Sequence, residues 1–300
     1  MIEKITITNH LGETYDLPLR TPDESGFVVA SVTGLNPPKA NVNFTDSSTL
    51  DGGYYNSARV GRRNIVFSLK FLPHLSIETC RHNSFRIFPI KKKIKMVFTT
   101  DERVVYTEGY VESNESSVFS KTTGTQISVL CPNSFFSELN TVDAMFGNVQ
   151  AVFEFPFSNE STSDPLLEFS QYSDSHEIHI ENHGEIEVGA IFNIDIGGAV
   201  GDILIGDSEG HLMQIDVSRI ADQTGTALGV GDTIIINTIP GEKNITLRRN
   251  GVDSPAFYCI DRYFQWLELY PGPNVLYYSA VSGADNLRLT ISYPVYYQGL

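Results

Sequence analysis

The chain has 300 residues and a formal net charge of −15, because 36 Asp and Glu outnumber 21 Lys and Arg. Apolar residues make up 41% and charged residues 19%, which excludes an intrinsically disordered chain and is typical of a soluble, globular one. No run of about 18 apolar residues occurs, so the sequence predicts no membrane span, and the length predicts two domains.

The first six residues contain neither a basic region nor a long apolar stretch. We therefore expect no secretory signal and maturation in a cytoplasm. Cys80, Cys131 and Cys259 lie far apart and lack C-x-x-C spacing, which argues against a disulfide framework and a zinc site. We expect them to be small buried apolar residues.

The first half of the chain has the alternation that is typical of β-strands. Ile5 and Ile7 alternate with polar residues and would share one face of a strand. Further alternating or β-branched runs predict strands at 27–32, 64–69, 95–98 and 126–130. One helix is predicted among them, with Ser76 as its cap and Pro89 at its end. Residues near helical spacing within it are Ile77, Cys80, Ser84 and Phe88.

A basic cluster follows this helix. Its lysines are Lys91, Lys92, Lys93 and Lys95, and three arginines precede them in the chain, Arg59, Arg62 and Arg63. Contact with phosphates is one interpretation. A solvated strand edge or a contact between subunits is favoured, because lysines protect exposed edges from unwanted pairing. No Walker A or G-x-G-x-x-G sequence occurs, so no nucleotide cofactor is predicted.

The charge changes abruptly along the chain. Residues 1–133 contain 15 Lys and Arg against 13 Asp and Glu, a balance of +2, whereas residues 134–300 contain 6 against 23, a balance of −17. This step supports a domain boundary near residue 133. It also argues against nucleic-acid binding by the second half, because phosphates would be repelled. Residues 134–175, which include a Ser/Asp-rich stretch at 158–164, are predicted to connect the domains.

Residues 176–300 have the pattern of many short strands, and 16 of the 24 glycines lie beyond residue 133. Strands are predicted at 177–181, 190–196, 203–205, 213–217, 233–237, 244–249, 266–270, 275–279 and 287–293. Turns containing Gly-Asp, Asn-Gly and Pro-Gly at this spacing predict an antiparallel β-sandwich. The predicted fold class is all-β with one short helix, without the helix–strand alternation of Rossmann or barrel enzymes.

Residues 206–210 match G-x-S-x-G, the turn that exposes a nucleophilic serine in α/β hydrolases. The segment after Ser208 reads as a strand instead of a helix. The hydrolase order also needs a histidine downstream of its acid, yet His211 is the last histidine of the chain. We therefore interpret this motif as a hairpin turn.

Histidines and carboxylates alternate near residue 180 and resemble the ingredients of a zinc or iron site. They are Asp174, His176, Glu177, His179, Glu181 and His183. On a strand, residues 177, 179 and 181 share a face, while His176 points the other way and His183 falls in a turn. A solvated strand face is the favoured interpretation, because exposed polar residues on sandwich strands are common.

Two sugar-related hypotheses concern the second half. Glycoside hydrolysis needs two paired carboxylates. The 23 acidic residues of the second half offer so many pairs that no catalytic pair can be singled out from the sequence. Trp266, the only tryptophan, is a candidate platform for stacking a sugar. Its neighbours Phe264, Leu267 and Leu269 favour core packing in a mostly buried strand.

Short motifs in collinear order resemble the distal tail protein family of long-tailed, non-contractile bacteriophages, the siphophages. In the first half they are ITITN at 5–9, VTGL at 32–35, DGGYYNSAR at 51–59 leading through Arg63 into a strand, the helix with Arg81, GYV at 109–111 and CPNSFF at 131–136. In the second half they are FPF at 155–157, ENHG at 181–184, GDTIIIN at 231–237 and LYPGPN at 269–274, running on to Tyr277. Together they span nearly the whole chain.

The resemblance implies a ring-forming split β-barrel domain at 1–133, a connecting segment at 134–175 and a galectin-like β-sandwich at 176–300. In the family, six copies form a ring that joins the tail tube to the baseplate hub and surrounds the DNA exit channel. The outer domains are docking surfaces for the adsorption apparatus. The implied partners are further copies of the chain, the tail tube protein, a hub or fibre protein and receptor-binding proteins.

The main hypothesis is therefore a structural protein of the phage tail tip, assembled in the bacterial cytoplasm, with no enzymatic turnover. It includes no membrane insertion and no sequence-specific binding of nucleic acid. We assign no catalytic, cofactor-binding or metal residues. The alternative is a carbohydrate-binding adsorption module that recognises host cell-wall glycan through the C-terminal sandwich. An enzyme based on Ser208 or on the histidines is a distant third hypothesis.

Overall fold

The structure, a computed structural model, describes residues 1–21, 25–46, 51–72, 76–117, 123–146, 150–151, 170–171 and 177–300. The chain divides into two compact units, Met1–Asn140 with Tyr296–Leu300, and Thr141–Val295. Both consist mainly of antiparallel strands, which confirms the all-β class. No helix within the described ranges is long and apolar enough to cross a membrane.

The first unit contains one large sheet, a separate two-stranded ribbon and a helix. Its strands are β1 (Ile2–Thr8), β2 (Thr14–Pro18), β3 (Phe27–Thr33), β4 (Ala40–Asp46), β5 (Gly53–Val60), β6 (Arg63–Phe71), β7 (Lys93–Thr100), β8 (Val104–Ser117), β9 (Gly124–Cys131), β10 (Phe136–Glu138) and β25 (Tyr296–Tyr297). The large sheet follows the order β2-β1-β7-β8-β9-β6-β3, and β10 pairs with both β8 and β25.

The core of the first unit forms from alternate residues of these strands. In β6, Ile65, Phe67 and Leu69 are buried while their neighbours face outward, as the period-two pattern predicts. Helix α1 (Ile77–Ile87) begins after Ser76 and ends before Pro89, which confirms the predicted helix. The Ser76 side chain makes no capping hydrogen bond, so packing against the core stabilises this helix.

The second unit contains two larger antiparallel sheets. Its strands are β11 (Val142–Phe146), β12 (Gln150–Ala151), β13 (Ser170–Gln171), β14 (Glu177–Asn182), β15 (Val188–Gly189), β16 (Ile191–Ile196), β17 (Ile203–Asp207), β18 (Leu212–Ile215), β19 (Thr233–Asn237), β20 (Asn244–Arg249), β21 (Val252–Pro255), β22 (Glu268–Leu269), β23 (Gly272–Ala280) and β24 (Leu287–Tyr293). One sheet has the order β11-β24-β16-β19-β20-β21 and the other β14-β23-β17-β18. Both bury alternate residues, as the sheets of a β-sandwich do.

A second helix, α2 (Val217–Thr224), corrects the prediction of a single helix. The predicted strand at 213–217 ends at Ile215, because the Asp216 carboxylate accepts a hydrogen bond from the Arg219 backbone N–H and caps a helix there. Gly225 ends the helix in the left-handed conformation, with φ of 72°. The alternation of Met213, Ile215 and Val217 had concealed this boundary.

The described parts of the predicted connecting segment, 134–175, contribute strands to both units. Strand β10 pairs within the first unit, whereas β11 pairs with β24 along five residues of each strand. The chain then returns to the first unit at residue 296. These pairings depend on strands distant in sequence, which local composition cannot reveal. Residues 152–169 and 172–176, with the 155–157 motif, the 158–164 stretch, Asp174 and His176, lie outside the described residues.

Candidate functional site

Strands β4 and β5 form an antiparallel ribbon that pairs with no other described strand. Every residue in both strands is exposed, unlike any other described strand of the first unit. The ribbon therefore contributes nothing to the core of its own unit. A two-stranded ribbon alone is at best marginally stable in water, so this one is suited to being completed by a neighbouring surface.

One face of the ribbon is apolar. Residues directly opposite each other share a face, and the register pairs Ala40 with Val60, Val42 with Ala58 and Phe44 with Tyr55. A bulge between Asn43 and Phe44 shifts the register by one residue and keeps the two aromatic rings on this face. The rings pack edge to face at 6.1 Å, yet Phe44 is 59% exposed and Tyr55 62%.

The opposite face of the ribbon is polar. Asn43 Nδ2 donates to Ser57 Oγ at 3.1 Å, and Asn56 Nδ2 donates to Thr45 Oγ1 at 2.6 Å. Tyr54 lies opposite Thr45 on this side and is 61% exposed. The ribbon is thus amphipathic although neither face is buried, and its apolar face resembles a protein interface more than a free surface.

Arg63 anchors both ends of the ribbon to the first unit. Its side chain is buried and points its guanidinium at backbone carbonyl oxygens. Nε donates to Ser134 O at 2.8 Å and Nη1 to Asn36 O at 2.9 Å, with further bonds to the carbonyls of Gly34 and Gln298. The Phe136 ring lies 4.3 Å from the guanidinium carbon. The chain leaves β3 through 34–36 and returns at Arg63, so one side chain fixes both ends.

Gly34 makes this anchor possible. Its φ is +85°, which glycine adopts at little cost, and a Cβ there would lie 2.0 Å from the carbonyl oxygen of Asn64. Any side chain would force the 34–36 turn away from the start of β6. Burial lowers the pKa of the Arg63 guanidinium, but an arginine remains charged at neutral pH. Placing Arg63 with the exposed basic residues was therefore wrong.

The other basic residues are distributed along the surface. Arg59 lies on the polar side of the ribbon, and Arg62 is exposed beside it. Lys93 Nζ lies 2.6 Å from Glu108, and this hydrogen bond raises the pKa of the lysine. Lys95 Nζ lies 4.1 Å from the centre of the Tyr106 ring. These two lysines have intramolecular partners, so they do not form an open phosphate site.

The G-x-S-x-G segment is a hairpin turn between β17 and β18, as its sequence context predicts. Ser208 is exposed at the turn. The Asp207 carboxylate accepts hydrogen bonds from the backbone N–H groups of Glu209 and His211, at 3.0 and 2.8 Å, and its other oxygen lies 2.7 Å from His211 Nδ1. The acid and the histidine therefore stabilise the turn.

The histidine-rich segment forms the exposed face of β14. Glu177, His179 and Glu181 are exposed and the residues between them are buried, which confirms the predicted solvated strand face. His183 Nδ1 lies 3.8 Å from Glu181 Oε1. Within the described ranges, no three His, Cys, Asp or Glu side chains come together as metal ligands would. All three cysteines are buried as free thiols, as expected, and burial raises the pKa of Cys131 to about 11.

Trp266 is half-buried, and the predicted strand at 266–270 shortens to the two residues of β22. Its ring packs edge to face with Phe264 at 5.1 Å and Phe257 at 6.4 Å. Lys243 Nζ lies over the ring, 5.5 Å from its centre. These contacts already involve the indole in packing within its own unit, which makes Trp266 a weak candidate for a sugar platform.

No protein-family model matches the chain, and no curated protein matches its sequence. A solved structure does match: Dit (gp 19.1) of phage SPP1, described as a paradigm of the hub adsorption apparatus in phages that infect Gram-positive bacteria. It aligns with a TM-score of 0.64 and 10% identity over 97% of this chain and 98% of that chain. The chain has the Dit fold.

Chains of the phage P2 baseplate in its activated conformation also align. The calcium-containing baseplate gives a TM-score of 0.47 with 13% identity over 98% of both chains, and the strontium-containing one gives 0.45 with 13% identity over 97% of both. The Dit fold is the one that the collinear motifs implied. The alignment with SPP1 Dit covers almost the full length of both chains at 10% sequence identity.

Sequence reasoning missed the ribbon of this Dit-like chain as an independent amphipathic element. The sequence does contain the alternation that predicts such an element. Ala40, Val42 and Phe44 alternate with polar residues, as do Ala58 and Val60. The 51–59 motif pointed to the same region through resemblance alone. Alternation predicts one apolar face on a strand, but it cannot tell whether that face is buried within the chain or left for a partner.

Proposed function

We propose that this chain is a structural component of the distal tail of a siphophage and assembles with further copies of itself into a closed ring. The observation that carries the proposal is the amphipathic β4–β5 ribbon, whose apolar face is left exposed by its own unit. The Dit fold supports the same role. In this proposal six copies form the ring, as the sequence resemblance implied, and the ring surrounds the DNA exit channel.

The ribbon suits packing against a second copy for a physical reason. Covering Val42, Phe44 and Tyr55 removes apolar surface from water, which stabilises association by about 25 cal/mol per Å². A ribbon that docks on a different surface of the next copy makes a head-to-tail contact. Such contacts generate a ring when the rotation closes. Residues 1–133, which contain the ribbon, are almost neutral at +2, so neighbouring copies repel each other little.

The remaining partners follow from the position of such a ring. It would join the tail tube protein to a hub or fibre protein, and the acidic residues 134–300, at −17, would resist packing against their own copies and remain available to receptor-binding proteins. The chain would work in the virion at the tail tip after assembly in the host cytoplasm. It would act by joining these components, without enzymatic turnover.

Mass in solution tests the proposal. Light scattering on the full chain should give about six times its 33.3 kDa mass, and negative-stain microscopy should show rings. Phe44→Ser combined with Tyr55→Ser should convert the ring to monomers that keep the circular-dichroism spectrum of the wild type and unfold cooperatively, since both side chains are already exposed within one copy. Tyr54→Ser is the matched control, because Tyr54 is equally exposed on the polar face, and its ring should persist.

Two outcomes would contradict the proposal. One is a wild-type chain that remains monomeric at the highest attainable concentration. The other is a ring that persists in the Phe44→Ser, Tyr55→Ser double variant, which would show that the apolar face of the ribbon contributes nothing to assembly.

A further inference from the structure

The exposed face of the β14-β23-β17-β18 sheet contains an aromatic ring held in a fixed position. Tyr277 lies in the central strand β23, with Glu177 of β14 opposite on one side and Gly206 of β17 opposite on the other. The alternate residues Leu276 and Tyr278 are buried on the inner face of the sheet. Tyr277 therefore points outward and is 39% exposed.

Gly206 holds the ring flat against the sheet. A Cβ built on Gly206 would lie 2.6 Å from Cε2 and Cζ of Tyr277 and 2.7 Å from its hydroxyl oxygen. The ring therefore occupies the space that a side chain at 206 would take, in the manner of aromatic residues that cover strand glycines. One side of the ring lies close to the backbone of β17 at Gly206, and 39% of the residue remains exposed to solvent. The position is fixed before any ligand arrives, which lowers the entropy cost of binding.

Hydrogen-bonding groups surround this ring on the same face of the sheet. Strand alternation and register place around it the side chains of Glu177, His179, Leu204, Leu212, Gln214 and Ser279. Leu204 and Leu212 are half-buried and extend the apolar surface, whereas His179 and Gln214 lie to either side. A flat apolar centre with polar groups on both sides matches a ligand that is apolar on its faces and polar at its edges.

We propose that this face binds an uncharged saccharide, with one sugar ring stacked on Tyr277 and its hydroxyl groups bonded to the flanking polar side chains. A pyranose has C–H groups on its faces and hydroxyls at its edges, which fits this arrangement. The charge selects among saccharides: residues 134–300 have a balance of −17, so anionic polymers are repelled. The proposal does not require ring assembly, and its site differs from Trp266, whose ring already contacts Lys243 and Phe264.

Affinity electrophoresis of the full chain tests this site. Gels containing dextran, galactomannan or glycol chitin provide neutral polymeric probes, and polygalacturonate provides an anionic one. At least one neutral probe should retard the wild-type chain, and polygalacturonate should not. Tyr277→Ala should weaken binding about tenfold or more through the loss of stacking. Tyr263→Ala is the matched control, because this tyrosine of the same unit is 62% exposed and lies outside the four strands that form the proposed site.

Two further variants separate binding from folding. Gly206→Ala retains every polar group but displaces the ring, so it should weaken binding as much as Tyr277→Ala does. Tyr277→Phe keeps the ring and should bind within a few-fold of wild type. The proposal is overturned if no neutral probe retards the wild-type chain, or if Gly206→Ala and Tyr277→Ala both bind as wild type does. Light scattering on the same samples reports ring assembly separately, so failure of one proposal is distinguishable from failure of the other.

Discussion

Arg63 illustrates how one side chain can organise several distant segments. Its guanidinium donates to carbonyl oxygens at positions 34, 36, 134 and 298, which are far apart in sequence. Arginine suits this task because its planar fork carries five N–H donors in fixed directions. The acceptors are neutral carbonyls, so the buried charge is stabilised by hydrogen bonds and by the Phe136 ring.

Replacement of Arg63 should therefore destabilise the first unit strongly. Arg63→Met keeps much of the apolar stem but leaves the carbonyl oxygens without donors, and each unsatisfied buried group costs about 1–3 kcal/mol. We expect the free energy of unfolding to fall by roughly 3 kcal/mol or more, measured by urea denaturation. Arg62→Met, at the exposed neighbouring position, should change it by less than about 0.5 kcal/mol. Equal effects of the two substitutions would disprove the anchoring role.

At the scale of secondary structure, helix α1 is attached to the β1–β2 turn by a small polar cluster. The Glu13 carboxylate accepts hydrogen bonds from Tyr15 Oη at 2.6 Å, Asn9 Nδ2 at 2.9 Å and Arg86 Nε at 3.1 Å. Arg86 belongs to the last turn of α1. The Arg86 hydrogen bond, followed by those from Tyr15 and Asn9, lowers the pKa of Glu13 from 4.5 to about 2.

This shift predicts acid sensitivity with a definite sign. The pKa of Glu13 is lower in the folded chain than in the unfolded chain, so its contribution to stability is present above pH 4.5 and is lost as the pH falls towards 2. Glu13→Gln removes the titrating group. We therefore expect the midpoint of thermal unfolding to fall less steeply between pH 5 and pH 2 in this variant than in the wild type. Parallel curves would show that the cluster does not couple protonation to folding.

At the scale of the whole molecule, the first unit is discontinuous in sequence. Its last five residues return after the entire second unit, where β25 pairs with β10. The Gly299 carbonyl accepts a hydrogen bond from Arg103 Nη2 at 3.2 Å, and the Leu300 N–H donates to Leu35 O at 3.0 Å. Both termini of the chain thus contribute to one compact unit.

Deletion of residues 296–300 should affect the two units unequally. The deletion removes β25, the Gln298 acceptor of Arg63 and the Gly299 acceptor of Arg103. Hydrogen exchange should become faster in β6, β8 and β10 and remain unchanged in β16, β19 and β24, because the latter strands pair within the second unit. Deletion of Leu300 alone is the control and should have a smaller effect. Faster exchange throughout both units would contradict this assignment.

Strands whose alternate residues are buried could be predicted from the local pattern of residues. Strands 233–237, 244–249 and 287–293 have the predicted bounds, and α1 lies where spacing and Pro89 predicted it. These elements were predictable because burial of one face requires apolar residues to recur every two positions in a strand or every 3.6 in a helix. That recurrence is visible in the amino-acid sequence. Collinear motifs also implied the Dit fold that the structure has.

Which of these faces are covered depends on the packing of segments that are distant in the chain. Alternation is the same in β4, which is exposed throughout, and in β6, which is buried on one face. Arg63 and Arg62 are adjacent and alike in charge, yet only Arg63 is surrounded by distant carbonyl groups. Tyr277 lies over Gly206 because two strands far apart in the chain pair in one register. A local pattern fixes the direction of a side chain, whereas its surroundings depend on segments that only the fold brings together.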